Sequence, residues 1–109
     1  PNHVGNFCGA PIMVDVQSGY TYFTPVYYVL AQLSRTIRPG DRAVETRTHL
    51  PALDQDDLHA TATLNDADLL SVQLLNTTKQ PIDCALQIGK QCAPIRIAAN
   101  SLQTVRIQL

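Results

Sequence analysis

The sequence lacks an excess of charge of either sign. Its 109 residues include 8 Lys and Arg against 9 Asp and Glu, and the formal net charge is −1. A nucleic-acid-binding domain normally carries basic residues clustered on one face, whereas the basic residues here are spread along the chain. We therefore expect no nucleic-acid partner.

Long hydrophobic runs are also missing. Every apolar stretch is interrupted well before the roughly 20 residues that a membrane-spanning helix needs. The opening Pro1-Asn2-His3 has no initiator Met and none of the regions of a signal peptide. We expect a soluble chain with no transmembrane segment and an internal start. The cellular compartment, including secretion, stays open.

Cysteines are few and are not spaced as metal ligands. Cys8, Cys84 and Cys92 form no C-x-x-C motif, which predicts no metal site. Free cysteine usually behaves as a small hydrophobic residue, so buried reduced thiols are the first expectation. Cys84 and Cys92 flank a predicted turn at residues 89–90, and a disulfide between them is the open alternative.

Residues suited to catalysis are scarce. Glu45 is the single glutamate, whereas glycoside hydrolysis usually needs two carboxylates. We predict that Glu45 is a solvated charge on a strand. His49 and His59 fall on predicted strands without a nearby nucleophile motif, so both are expected to be structural.

Two further polar motifs have simple structural interpretations. Asp54, Asp56 and Asp57 lack the glycine and terminal glutamate of a calcium loop, which favours a solvated turn. Asn76-Thr77-Thr78 fits the glycosylation sequon, but a hairpin turn is the predicted role.

Residues 1–40 differ in pattern from the remainder. An apolar run at 11–16, a turn at 17–19 and strand-forming residues at 20–23 predict a hairpin. A helix is predicted over about 25–37, because Thr24 is a capping residue, Pro25 suits the first helical position and Pro39-Gly40 ends the pattern. The apolar positions of this helix fall on one face: Val26, Val29, Leu30, Leu33 and Ile37.

After Gly40 the apolar pattern changes from helical to alternating. Six short runs, at 44–50, 60–64, 70–74, 82–88, 95–97 and 105–109, are separated by turn-forming residues. Short strands at this spacing predict an antiparallel β-sandwich. The fold class is therefore mainly β.

The opening loop contains the side chains that suit a sugar pocket. Amide groups hold hydroxyls and an aromatic face packs against sugar C–H groups, and Asn2, His3, Asn6 and Phe7 supply such groups. Asn and Gly are also common turn formers, so a purely structural loop remains the alternative.

Several ordered motifs resemble glycoside hydrolase family 30, the glucosylceramidase-like retaining β-glycosidases. They are Pro1 to Phe7 (PNHVGNF), Ala10 to Asp15 (APIMVD), Tyr22 to Tyr28 (YFTPVYY) and Leu33 to Gly40 (LSRTIRPG). From residue 41 onward the resemblance rests on layout and on the closing residues 100–105.

This resemblance implies a two-part organisation. In that family a (β/α)₈ barrel carries two catalytic glutamates and a β-sandwich packs against it. Residues 1–40 would be the end of the barrel, with the loop after its last strand, a hairpin and its last helix. Residues 41–109 would be the C-terminal β-sandwich, completed by strands from the amino-terminal region of the parent chain.

The resemblance also implies a function and a site. The chain would be the C-terminal part of an enzyme that hydrolyses glucosylceramide or a related β-glucoside through a covalent glycosyl-enzyme intermediate, with no cofactor. Asn6 would contact the sugar, with Phe7 and His3 beside it, and no catalytic residue lies in this segment. The alternative is a stand-alone β-sandwich that binds carbohydrate without catalysis.

Overall fold

The computed structural model describes residues 9–51, 54 and 56–109. By their internal contacts the residues divide into two compact units, Pro1–Arg35 and Thr36–Leu109, and each is described by itself. Among the described residues, no helix is long and apolar enough to cross a membrane.

The first unit contains the predicted hairpin. Strands β1 (Ile12–Val14) and β2 (Thr21–Phe23) are antiparallel, with Met13 opposite Tyr22. The Asp15 carboxylate organises the turn, because it accepts hydrogen bonds from the Ser18 hydroxyl at 2.6 Å and the Gln17 N–H at 3.0 Å. These hydrogen bonds lower the pKa of Asp15, and the hydrogen bond from the Ser18 side chain has the largest effect. The hairpin prediction is confirmed.

Helix α1 (Pro25–Thr36) begins at the predicted proline and ends one residue before the predicted end. The Thr24 hydroxyl donates to the carbonyls of Ala10 and Pro11 at 2.9 and 3.2 Å, so it joins the helix start to the strand entry. The Thr24 carbonyl accepts the Tyr27 N–H at 3.0 Å. Thr24 thus marks the start of the helix as predicted, but these bonds are not those of a side-chain cap.

The described residues of the second unit form six strands in two antiparallel sheets. The larger sheet has the order β3-β4-β5-β8, and the smaller sheet pairs β6 with β7. The strands are β3 (Arg42–Val44), β4 (Leu58–Leu64), β5 (Leu69–Asn76), β6 (Ile82–Ile88), β7 (Gln91–Ile97) and β8 (Ser101–Gln108). The mainly β, antiparallel, sandwich-like fold is therefore confirmed.

The core lies between the two sheets. Alternate residues of the central strand β5 point inward, as the apolar period predicted, and all of them are buried. The buried apolar residues come from both sheets: Leu58, Ala62, Leu70, Val72, Leu74, Ile82 and Ile97. This shared cluster joins the sheets into one packed domain.

Two polar residues on the other face of β5 are also buried, whereas Leu75 on that face is exposed. Ser71 and Gln73 are 3% and 2% exposed. The Gln73 side chain donates to the Thr36 hydroxyl at 3.1 Å. The alternation between apolar and polar residues therefore does not separate buried from solvated positions at Ser71 and Gln73.

The first strand of the sandwich is shorter than predicted. The alternating pattern runs from residue 44 to 50, but β3 ends at Val44. Beyond Val44 the Thr46 hydroxyl donates to the Ala60 carbonyl at 3.0 Å. If β3 continued, a backbone N–H of β3 would use that carbonyl instead. The prediction that Glu45 and His49 lie on a strand is therefore wrong.

The cysteine geometry decides between the two expectations for residues 84 and 92. Cys84 pairs with Ile95 on the inward face of the small sheet, whereas Cys92 pairs with Gln87 on the opposite face. Both cysteines are free, and Cys92 is exposed. The disulfide alternative is wrong, and the expectation of buried thiols fails for Cys92. Cys8 lies outside the described residues.

Candidate functional site

The second unit has a cavity of about 510 Å³ between its two sheets. Its floor is apolar and comes from β4, β5, β6 and β7. Six representative lining residues are Ala60, Ala62, Val72, Leu74, Leu86 and Ile95. Apolar lining of this kind favours packing partners rather than polar chemistry.

The cavity lies between the facing sides of the two sheets. Its lining includes Ala62 of β4 and Val72 of β5 from the larger sheet, and Leu86 of β6 from the smaller sheet. The segment after β3, with Glu45 and Thr46, forms the rim. The two sheets are therefore not in contact over the whole of their facing surfaces.

A second, more polar cavity of about 450 Å³ lies at the edge of β4. It brings His49 and Asp54 near His59, an arrangement that sequence spacing did not predict. Both histidines are exposed. Within the described part of the chain, no group of three or more His, Cys, Asp or Glu side chains is placed to hold a metal ion.

The lone glutamate lies in solvent rather than in a cleft with a second acid. The Glu45 carboxylate forms a 2.8 Å ion pair with the Arg47 guanidinium, and the side chains of Glu45 and Arg47 are 75% and 86% exposed. An ion pair this exposed contributes little to stability and does not shape a catalytic carboxylate. The prediction of a solvated Glu45 is confirmed, although the residue lies just beyond β3.

The aspartate cluster forms the expected turn. The Asp57 carboxylate accepts the Asp54 N–H at 2.9 Å, and the Asp57 N–H donates back to the Asp54 carbonyl at 3.1 Å. Side-chain oxygens that bond to nearby backbone N–H groups are typical of turn aspartates. The interpretation as a solvated turn is therefore confirmed for Asp54 and Asp57.

The most highly organised polar residue is Asn76, at the end of β5. It is fully buried, with 0% exposure. Its Nδ2 donates to the carbonyls of Gln80 and Ala98 at 2.8 and 2.9 Å and approaches that of Ile97 at 3.4 Å. Its Oδ1 accepts the Thr78 N–H and hydroxyl at 2.9 and 2.8 Å.

These bonds correct the predicted role of the sequon. Residues 77–81 do not form a hairpin turn, because β5 belongs to the larger sheet and β6 to the smaller one. The chain returns to the larger sheet at 98–100, and the Asn76 side chain bonds to both crossovers. A polar residue closing an apolar strand was the signal in the sequence that could have identified this role.

The residues predicted to contact sugar lie outside the described part of the chain. His3, Asn6 and Phe7 all precede residue 9, where the description begins. Their placement in a substrate pocket therefore stays a prediction.

The comparisons find that the chain is similar to a region of a glycoside hydrolase. A relative is the lysosomal acid glucosylceramidase of Mus musculus, which is 32% identical over 82 residues. The match covers 75% of this chain and 15% of the mouse enzyme, so the chain spans a small part of that relative's length. No protein-family model and no solved structure matches the chain.

Proposed function

We propose that this chain is the C-terminal part of a retaining β-glycosidase of the glucosylceramidase type. The observation that carries the proposal is the similarity to the mouse enzyme over three quarters of the chain. The reaction would be hydrolysis of a β-glucosidic bond, with glucosylceramide or a related β-glucoside as substrate.

The chemistry would depend on residues of the parent chain. In a retaining glycosidase one carboxylate attacks the anomeric carbon while a carboxylic acid protonates the leaving oxygen, and water then hydrolyses the covalent intermediate. Glu45 suits neither role, since it is exposed and paired with Arg47. This segment would instead contribute sugar contacts from Asn6, flanked by His3 and Phe7.

We also propose that the chain contains parts of two domains. Residues 1–40 would end the catalytic barrel, and residues 41–109 would form the C-terminal β-sandwich. The separate compactness of Pro1–Arg35 and Thr36–Leu109 supports a boundary in this region. The site loop would then lie at the carboxyl end of a barrel strand, where barrel enzymes build their active sites.

The cavity between the two sheets supports a larger parent chain. A cavity of about 510 Å³ with an apolar floor is unfavourable in water, because its lining gains neither packing contacts nor polar solvation. Strands from elsewhere in the parent chain would cover β3 and β4 and fill this space. The remainder of the enzyme is thus the expected partner of the segment.

The experiment that tests the function is a substitution in the intact enzyme. We expect Asn6→Ala to lower kcat/KM for a β-glucoside by about 10- to 100-fold, because the sugar loses a hydrogen bond that strengthens in the transition state. The matched control is Lys79→Ala, which removes an exposed side chain in the crossover after β5. An unchanged kcat/KM for Asn6→Ala removes Asn6 from the site.

A further inference from the structure

The sequon at Asn76 has a property that does not depend on the proposed glycosidase function. Glycosylation replaces one hydrogen of the Asn side-chain nitrogen by a bond to a sugar carbon. In Asn76 that nitrogen is the donor to Gln80 and Ala98. The atom that would carry the glycan is therefore fully engaged inside the domain.

The other residues of the sequon are engaged too. Thr77 donates its hydroxyl to the Asp56 carbonyl at 2.8 Å. The Thr78 hydroxyl lies 2.8 Å from the Asn76 Oδ1, and the Thr78 carbonyl accepts the Asn100 N–H at 2.9 Å. A transferase would have to break these bonds and expose a residue with 0% accessibility.

We propose that Asn76 is a glycan acceptor only in the unfolded chain, and that folding withdraws it. A sugar on Nδ2 has no room at a fully buried nitrogen, and it would leave a single N–H for the two backbone carbonyls that Nδ2 now serves. The sequon thus distinguishes folded from unfolded copies of this domain.

The test uses a soluble N-glycosyltransferase that takes UDP-glucose as donor. At Asn76 the Nδ2–C1 bond forms, the bond from C1 to the diphosphate oxygen breaks, UDP leaves and one proton goes to solvent. The purified folded chain is compared with a synthetic peptide of residues 70–85, and initial rates are followed by mass spectrometry. We expect the folded chain to react at Asn76 at least about 100-fold more slowly than the peptide, because modification must await local opening.

A second acceptor in the same chain provides the matched control. Ala67→Thr completes a sequon at Asn65, in the exposed turn between β4 and β5, where only the Oδ1 is engaged in the described hydrogen bonds. We expect Asn65 of this folded variant to react within about 10-fold of the peptide. Reaction of Asn76 in the folded chain at a similar rate overturns the proposal, and so does a peptide that is not modified at all.

Discussion

At the scale of the residue, Asn76 links segments of the domain that are distant in the sequence. One side chain joins the two crossovers between the sheets and is satisfied on both its donor and acceptor sides. Buried polar groups with complete hydrogen bonding fix a single arrangement, whereas the loss of one partner leaves the others desolvated and unpaired.

Replacement of Asn76 by Asp tests this role. The change keeps the shape but removes both N–H donors, and it faces a carboxylate toward the carbonyls of Gln80 and Ala98. We expect the free energy of unfolding to fall by about 2 to 4 kcal/mol, measured by urea denaturation. Asn65→Asp is the control, because the Asn65 Oδ1 is an acceptor that Asp retains. Equal losses in both variants would contradict the role of the Asn76 donors.

The two described cysteines should differ in reactivity. Burial, with a smaller contribution from the negative charge of Asp83, raises the pKa of Cys84, so less of its reactive thiolate is present at a given pH. We expect iodoacetamide at pH 8 to modify exposed Cys92 first and Cys84 more slowly, with the Cys84 rate still rising at higher pH. Peptide mass spectrometry distinguishes the sites. A Cys84 rate equal to that of a small-molecule thiol would contradict the prediction.

At the scale of the element, the β6–β7 hairpin shows how one turn residue sets a register. Ile88 and Gln91 pair across a two-residue loop, and of the two loop residues only Gly89 has positive φ, at 58°. This is the pattern of a type II′ turn, which favours glycine at its first central position. This loop therefore fixes which residues of β6 and β7 face the core.

Gly89→Ala should therefore lower stability by about 1 kcal/mol, since a Cβ disfavours the left-handed backbone. The control is Gly9→Ala, because an added Cβ meets no atom within 4 Å at either position, whereas Gly9 does not have positive φ. Thermal unfolding monitored by circular dichroism measures both variants. A loss in Gly9→Ala as large as in Gly89→Ala would show that backbone strain is not the cause.

The sequence predicted the positions of the strands and the helix better than it predicted the contacts of individual side chains. The period of the apolar residues placed β4 to β8 and helix α1, because that period reflects which side of an element is shielded from water. It failed where a side chain competes with the backbone, as at Thr46, and where a polar face is shielded, as at Gln73. The contacts of Asn76 joined residues more than 20 positions apart, which no local pattern encodes.

At the scale of the whole molecule, the proposal that this is part of a larger enzyme predicts solvent-accessible apolar surface in the isolated chain. Helix α1 has no buried residue, and its apolar residues Val26 and Leu30 are 53% and 50% exposed. Patches of this kind mark surfaces that normally meet a partner.

Dye binding by two fragments measures that surface. We expect residues 1–109 to bind more of a fluorescent apolar probe than residues 41–109, because only the longer fragment carries the hairpin and α1. Both should bind some probe, since the cavity between the sheets lies in the shorter fragment. Equal and low binding by both would favour the alternative of a free-standing carbohydrate-binding sandwich.

The part of the β4 edge that β3 leaves unpaired also has a consequence for handling the chain. Between Leu58 and Ala60 its outer edge receives one side-chain hydrogen bond, from Thr46, where a full neighbouring strand would supply a ladder. Strand edges with free N–H and C=O groups recruit other strands of any origin. Two copies of this chain at high concentration would pair through these edges, so association should increase with concentration while each copy stays folded.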